Sequence, residues 1–362
     1  MKKDITGEAN SNWKVWIGGT ASSAIIMVVY MTHYKTTPEQ AFDQALSEGD
    51  ASYMQKIIDK YGDDIDINKE DENGYTPLGK IIKKRGDPKN DRKKLAVLLA
   101  CPSIDLEKKV NGTDEALIFA ILQKKNEIVK EILTNRVSRG KITEDQIKKA
   151  FDLALSTNYR KDIIKELLEN PTSKDKITAA RIKEAFDEAM KEENIDAMEA
   201  LLESSRDKIG AAKIKSAYIN KIRNQGFSDI TRLLLVQPEI DPNETDSQGK
   251  TWLWKHAEVG SREGTMMLLE HPGIDPNKTD DTGRAPLEKA VEGYKNKLPV
   301  GVFFARGAIT RHVDSLEVGG IMYGANAYAE VVRALWKHPR TDRNVVTQHD
   351  IDRIMELAGL AV

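Results

Sequence analysis

Cysteine is all but absent. Cys101 stands alone among 362 residues, which excludes an internal disulfide framework and a zinc site built on several thiolates. Aromatic residues are scarce at 6%, against 31% charged residues, a balance that suits helices with broad solvated faces. Net charge is missing as well. The 55 Lys+Arg and 57 Asp+Glu leave −2, so the basic excess of a nucleic-acid binder is lacking and no nucleic-acid partner is expected.

Catalytic signatures are equally thin. His33, His256, His271, His312, His338 and His349 are scattered and form no His-Glu-x-x-His pair. There is no Gly-x-x-x-x-Gly-Lys-Ser/Thr loop to cradle a phosphate, and no Gly-x-Ser-x-Gly elbow. Asp246-Ser247-Gln248-Gly249 and Asp280-Asp281-Thr282-Gly283 lack the ligand pattern of a calcium loop. Asn243-Glu244-Thr245 and Asn277-Lys278-Thr279 read as glycosylation triplets, yet both fall at one recurring position. Cys101 has no neighbouring histidine to activate it, and His256 lies within a helical pattern, so packing roles are expected for both. The densest titratable group is Arg311, His312, Asp314 and Glu317, and a working active site would need it to converge in a formed pocket. No enzyme, cofactor or metal is expected.

One long uncharged run is present. Residues 15–31, VWIGGTASSAIIMVVYM, lie between Lys14 and Lys35, with Trp13, Trp16, Tyr30 and Tyr34 at the ends. Amphipathic rings settle at membrane–water boundaries. Counting its flanks, the run reaches the ~20 residues needed to cross a bilayer. A transmembrane helix is therefore expected over 13–34, behind an N-terminal tail of residues 1–12. Asp4 and Glu8 interrupt the positive start that a signal peptide needs, and no small-x-small site follows Met31, so the span is read as uncleaved. A cleaved signal peptide and a buried globular helix are the alternatives. Lys2, Lys3 and Lys14 precede the span and only Lys35 closely follows it, which favours a cytoplasmic N-terminus for a single-pass protein. Gly18 with Ser22, and Gly19 with Ser23, are small pairs that would let two spans approach, a weak signal for homo-oligomers.

From Pro38 onward the chain repeats itself. Asp241-Pro242-Asn243 recurs as Asp275-Pro276-Asn277, 34 positions on, and Gly249 recurs as Gly283 at the same step. GKTWLWKHAEVGS at Gly249, GRAPLEKAVEGY at Gly283 and GYTPLGKII at Gly74 open alike, and 38–68 reads as a further copy. Paired leucines follow at Leu98-Leu99, Leu167-Leu168, Leu201-Leu202, Leu233-Leu234 and Leu268-Leu269. A period of this length means stacked supersecondary units. The pattern resembles the ankyrin repeat: a turn, Thr-Pro-Leu-His-x-Ala, two helices with paired leucines, and Asp-x-Asn. Thr76-Pro77-Leu78 matches directly, while Thr251-Trp252-Leu253 and Ala285-Pro286-Leu287 are variants. The resemblance implies an all-α, ankyrin-like helical-repeat solenoid over 38–346, with residues 347–362 as a C-terminal capping helix.

The middle copies depart from the pattern. KITEDQIKKAFDLAL at Lys141, KITAARIKEAFDEAM at Lys176 and KIGAAKIKSAYINKI at Lys208 align with one another, matching Ile147, Ile182 and Ile214, then Phe151, Phe186 and Tyr218. They lack the Gly-x-Thr-Pro-Leu opening and the Asp-x-Asn turn, so bare helical hairpins are expected there. Each hairpin shows only narrow apolar stripes, such as Ile163, Ile164, Leu167 and Leu168, and must stack on neighbours to bury them. Gly74, Gly249 and Gly283 supply the permissive backbone of the turns.

One break interrupts the rhythm. In the last full repeat about thirty residues separate the two helices where a few would suffice, and such long loops are often functional. This insert, 295–325, contains VGVFFARGAI and LEVGGIMYG, which are expected to pair as a small hairpin, either covering the open end of the array or meeting a partner. Aromatic and arginine side chains anchor interfaces most often, which selects Phe303, Phe304, Arg306, Arg311 and Tyr323, together with Trp252 and Trp254, as partner-binding candidates. As a family, ankyrin arrays are recognition scaffolds, so the resemblance implies a membrane-tethered protein that binds a protein partner on its concave face and turn tips. A structural spacer that oligomerises through its span is the alternative.

Overall fold

The computed structural model describes residues 36–84, 88–156, 160–224, 226–297 and 315–360, with the side chains of 88 and 315–324 left aside. The expected span over 13–34 lies outside them. Among the described residues no helix is long and apolar enough to cross a membrane. All regular structure there is helical, apart from two isolated bridges, Lys109 with Glu115 and Thr245 with Thr251. The chain divides into two compact units, residues 1–119 and 120–362.

The first unit holds α1 (Pro38–Ser47), α2 (Ala51–Tyr61), α3 (Pro77–Lys83), α4 (Pro88–Leu99) and the start of α5 (Ala116–Leu122). Thr37 opens α1 with a full capping box through Gln40, and Thr76 opens α3 by accepting the Gly79 N–H. Phe42, Leu46, Met54, Ile81, Ile82, Leu95, Leu98 and Leu99 are all buried, so the apolar stripes of both hairpins form one core. Lys94 is buried among them and donates to the Leu46 carbonyl at 2.8 Å, satisfying the last turn of α1. Burial lowers the pKa of that ammonium.

The second unit continues with α6 (Asn126–Thr134), α7 (Glu144–Leu155), α8 (Lys161–Glu169), α9 (Ala179–Lys191), α10 (Ile195–Ile209, kinked at Ser205), α11 (Ala211–Arg223) and α12 (Asp229–Leu235). It closes with α13 (Trp252–Val259), α14 (Arg262–Leu269), α15 (Pro286–Lys297), α16 (Ser315–Lys337) and α17 (Gln348–Ala358). Helices pack within a hairpin, as α9 on α10 and α13 on α14, and also on the equivalent helix of the next, as α8 on α10, α13 on α15 and α14 on α16. The corresponding residues Ile147, Ile182 and Ile214, and likewise Phe151, Phe186 and Tyr218, are buried in every copy. Lys161 binds Glu199 at 2.9 Å and Glu203 at 2.6 Å, and Lys165 binds Glu203 at 2.7 Å, so α8 and α10 are also bridged on their polar faces. Such half-exposed pairs contribute little individually, and the apolar contacts dominate.

Two expectations need correction. The buried leucine pair of α12 is Leu234 and Leu235, with Leu233 only half-buried. The hairpin partner LEVGGIMYG is not a strand: it forms the first part of α16, a helix of 23 residues that packs along α15. Once the packed second half of that helix exists, each added residue gains a hydrogen bond without a new nucleus, and propagation wins over pairing. Residues 298–314, with the other half of the expected hairpin, lie outside the described ones. Tyr328 on α16 lays its ring against Gly260 and Gly293 and donates its hydroxyl to the Glu258 carbonyl at 2.8 Å, joining α16 to α13 and α15.

Candidate protein-interaction surface

Five of the turns that join helices share one hydrogen-bond pattern. Asp66, Asp105, Asp241, Asp275 and Asp342 each accept, at 2.9 Å, the N–H of the residue two positions on. This is the Asx turn that lets aspartate replace a backbone acceptor. Within the first unit, Asn68 donates to the Ser103 carbonyl at 2.8 Å and accepts the Asp105 N–H at 2.9 Å. In the second, Asn243 does the same with Gly273 and Asp275, and Asn277 with Arg340 and Asp342. The Asn243 link spans 32 positions and the Asn277 link 65, so the insertion adds 33 residues without changing the turn-to-turn contact. These amides are spent on the link, which explains why Asn243 and Asn277 stand at one recurring position. Asn277→Ala removes two bonds of 2.7 and 2.6 Å. A loss of about 1–2 kcal/mol in the second unit is expected, read by denaturant melting.

Beyond the Asx turns of Asp66, Asp105, Asp241 and Asp275 the chain doubles back at a tip. Asp246 N–H donates to Lys250 O at 3.1 Å and Asp280 N–H to Arg284 O at 3.1 Å, with Gly249 at φ +73 and Gly283 at φ +81. A residue with a Cβ is strained in that region. Asp281 N–H donates to the Gln248 carbonyl, so adjacent tips are joined. Asp246 is held near a pKa of about 2 by its hydrogen bonds from Lys255 and the Gln248 backbone.

The middle hairpins use different staples. Ser138 and Ser173 donate back to the carbonyls of Ile132 and Leu167, six positions earlier, at 2.7 and 2.6 Å. Thr172 donates to Leu133 O at 2.8 Å and Lys176 to Ile142 O at 2.6 Å. These bonds tie the middle linkers to backbone carbonyls of the neighbouring segments.

Against known proteins, the chain matches no family model and no curated sequence.

Of the partner-binding candidates, Phe303, Phe304, Arg306 and Arg311 lie outside the described residues, and Tyr323 lies in α16 with its side chain outside them. Trp254 is a core residue: it is fully buried and its indole N–H donates to Arg284 O at 2.9 Å. It fixes the next turn from within and offers nothing to a partner. Trp252 is half-buried, stacked on His256 with centroids 6.3 Å apart, and Lys255 sits 4.7 Å over its ring. His256 itself is buried, as a packing role requires. Among the described residues no three His, Cys, Asp or Glu side chains converge as metal ligands.

A cleft in the first unit had no counterpart among those candidates. It measures about 520 Å³ and lies where α1 and the start of α3 meet the turn of residues 65–73. A second cleft of about 400 Å³ shares Asp43 and Lys80 with it and continues over Leu46, Ile81 and Lys84. Lys80 pairs with Asp71 at 3.2 Å, tying the helical wall to the turn. No sequence signal marks this cleft, since Glu39, Asp43 and Ser47 form the ordinary solvated face of an amphipathic helix.

Proposed function

We propose that the chain is a membrane-tethered, ankyrin-like helical-repeat solenoid that recognises a protein partner on the surface made by its turns and first helices. The observation that supports this most is the Asn-to-Asp link, formed at Asn68, Asn243 and Asn277 alike. A link that holds successive turns in register within a unit, and in the second unit does so across a 33-residue insertion, keeps the exposed tips of that unit at fixed spacing. Such a row suits additive recognition, in which each tip contributes modestly and no single pocket dominates. Fold alone does not fix function, and the membrane span over 13–34 and its N-terminus-inside orientation remain part of the proposal.

Photo-crosslinking residues placed at the tips, at Glu72, Gln248 and Thr282, are expected to give one dominant protein adduct in native membranes. The same groups on second helices, at Lys130, Glu203 and Glu263, are expected to give none. Adducts confined to the second helices, or detergent-stable homo-oligomers with no adduct at all, would overturn the reading in favour of a spacer. Exchanging 298–314 for a glycine–serine linker of equal length leaves α15 and α16 whole and tests the insert separately. An unchanged adduct removes Phe303, Phe304, Arg306 and Arg311 from the binding account.

A further inference from the structure

We infer that Asn111 is a site of spontaneous modification, where the fold helps the asparagine close on the next backbone nitrogen and lose its side-chain amide. This goes beyond the recognition reading and does not depend on it. The sequence holds two Asn-Gly steps, Asn73-Gly74 and Asn111-Gly112, both at tips of the first unit. Glycine offers no side chain to crowd a five-membered ring. The step needs only the chain and water. The Gly112 nitrogen attacks the Asn111 side-chain carbonyl carbon, the bond to Nδ2 breaks, and Nδ2 leaves as ammonia with the proton that the Gly112 nitrogen gave up. Water then opens the cyclic imide at one of its two carbonyls, leaving aspartate or isoaspartate.

The two steps differ in what surrounds them. Gly112 is exposed, and its N–H makes no hydrogen bond among the described residues, so the nucleophile is free. The Asn111 side-chain oxygen accepts the Asp114 N–H at 2.6 Å and the Thr113 N–H at 3.2 Å. Negative charge that develops on this oxygen during attack therefore meets two backbone donors already in place. The departing Nδ2 is held by the Asp114 carboxylate at 2.9 Å, which fixes the side chain. At Asn73 the arrangement is reversed. Gly74 N–H is committed to the Asp71 carbonyl at 2.9 Å, and the Asn73 side chain makes no hydrogen bond among the described residues. Attack there must first break a backbone bond and proceeds without the donor pair. The product at position 111 also disturbs its tip. Aspartate sets a carboxylate oxygen against Asp114 where an N–H donor stood, and like charges so close repel. Isoaspartate lengthens the backbone of the turn that closes Val110 N–H on Asp114 O at 2.8 Å and presses on Gly79.

Peptide mapping of the full-length chain, aged at 37 °C and pH 7.4 in neutral detergent, tests this. Trypsin releases residues 70–80 and 110–124 as separate peptides, each with one Asn-Gly step whose change from amide to acid is read by mass. In the folded chain Asn111 is expected to convert about tenfold faster than Asn73 or more, since one backbone hydrogen bond to be broken is worth about that factor. In guanidinium chloride the two rates are expected to converge, because both are then bare Asn-Gly steps. The folded rate at Asn111 should rise with pH, as its nucleophile must shed a proton. The converted chain, separated by anion exchange, should melt about 3 °C lower or more, and so should Asn111→Asp. Asn73 converting as fast as Asn111 in the folded chain would overturn the inference. So would an Asn111 that converts more slowly folded than unfolded, because its bonds would then hold the amide back. Converted chain that melts with the parent would overturn the disturbance of the tip.

Discussion

Replacing Gly79 with alanine is expected to destabilise the first unit by about 3 kcal/mol or more, although alanine is the better helix former by about 1 kcal/mol. Gly79 lies in α3, and a Cβ there would stand 1.8 Å from the Val110 carbonyl oxygen and 2.8 Å from its carbon. The neighbour is backbone, so no side chain can swing aside. Nor can the backbone retreat cheaply. The same Val110 oxygen accepts the Thr76 N–H at 3.1 Å, and Val110 N–H donates to Asp114 O at 2.8 Å. The turn behind it is closed by Asn111, which takes the Asp114 N–H at 2.6 Å, and by Gly112 at φ +80. Moving Val110 away would open all of these, and Val110 itself is buried. Thermal melting and hydrogen exchange at α3 check the outcome. A Gly79→Ala chain that melts higher than the parent would mean the turn does not press on α3, and the described contact between α3 and the turn of residues 110–114 would be wrong.

The same position read across the copies shows how much of the architecture could be taken from sequence. Gly79, Gln146, Arg181 and Trp254 each follow a threonine by three residues, and each donates its N–H to that threonine's hydroxyl. The helix starts at Thr143 and Thr178 were legible all along, because threonine at an N-cap needs no glycine turn before it. The hairpins that begin at α7 and α9 lack the tip and keep the cap, whereas α11 opens at Gly210 with no side-chain cap. Helical periodicity also located the buried stripes, and it missed by one residue at Leu233, where three successive leucines leave the period undetermined. Two features were beyond such reading. The insertion looked like strand because glycine, valine and isoleucine favour no helix locally, and only packing against α15 decides α16. Trp254 looked like an interface anchor because a sequence does not say whether an aromatic ring meets a partner or the next turn of its own chain. The cleft under Asp43 needed two helices and a turn to be brought together, which no single motif encodes.

Acid should weaken the second unit chiefly through His256. Its ring is buried, edge-on to Phe227 at 5.0 Å and stacked with Trp252 at 6.3 Å. Gly264 of α14 presses against it so closely that a Cβ there would lie 2.8 Å from the imidazole. Neither ring nitrogen has a hydrogen-bond partner among the described residues. Burial first, and the charge of Lys255 second, push the pKa down to about 4 from 6.5. The folded value is thus below the unfolded one, and between the two the unfolded chain binds a proton that the folded chain refuses. Stability is unaffected above about pH 6.5, falls steadily below it, and levels off near pH 4 after a loss of about 3 kcal/mol. His271 and His338, both lowered by partial burial and by Arg340, add smaller losses of the same sign. The depressed carboxylates, Asp246 among them, act lower still, as pH falls through the ordinary carboxylate range toward about 2. The interval from pH 6.5 to about 5.5 therefore belongs to the histidines, since the lowered Glu193, Glu203 and Glu292 add their own loss as pH approaches the ordinary glutamate value. Substituting His256→Leu, similar in volume and without polar atoms, removes two unsatisfied nitrogens. The variant is expected to match or exceed the parent at pH 7 and to lose most of the decline toward pH 5.5. Urea midpoints taken at pH 7, 5.5 and 4.5 for both chains decide it. Parallel profiles would show that the imidazole can be protonated where it sits, which only water or an acceptor reaching between Phe227 and Trp252 would permit.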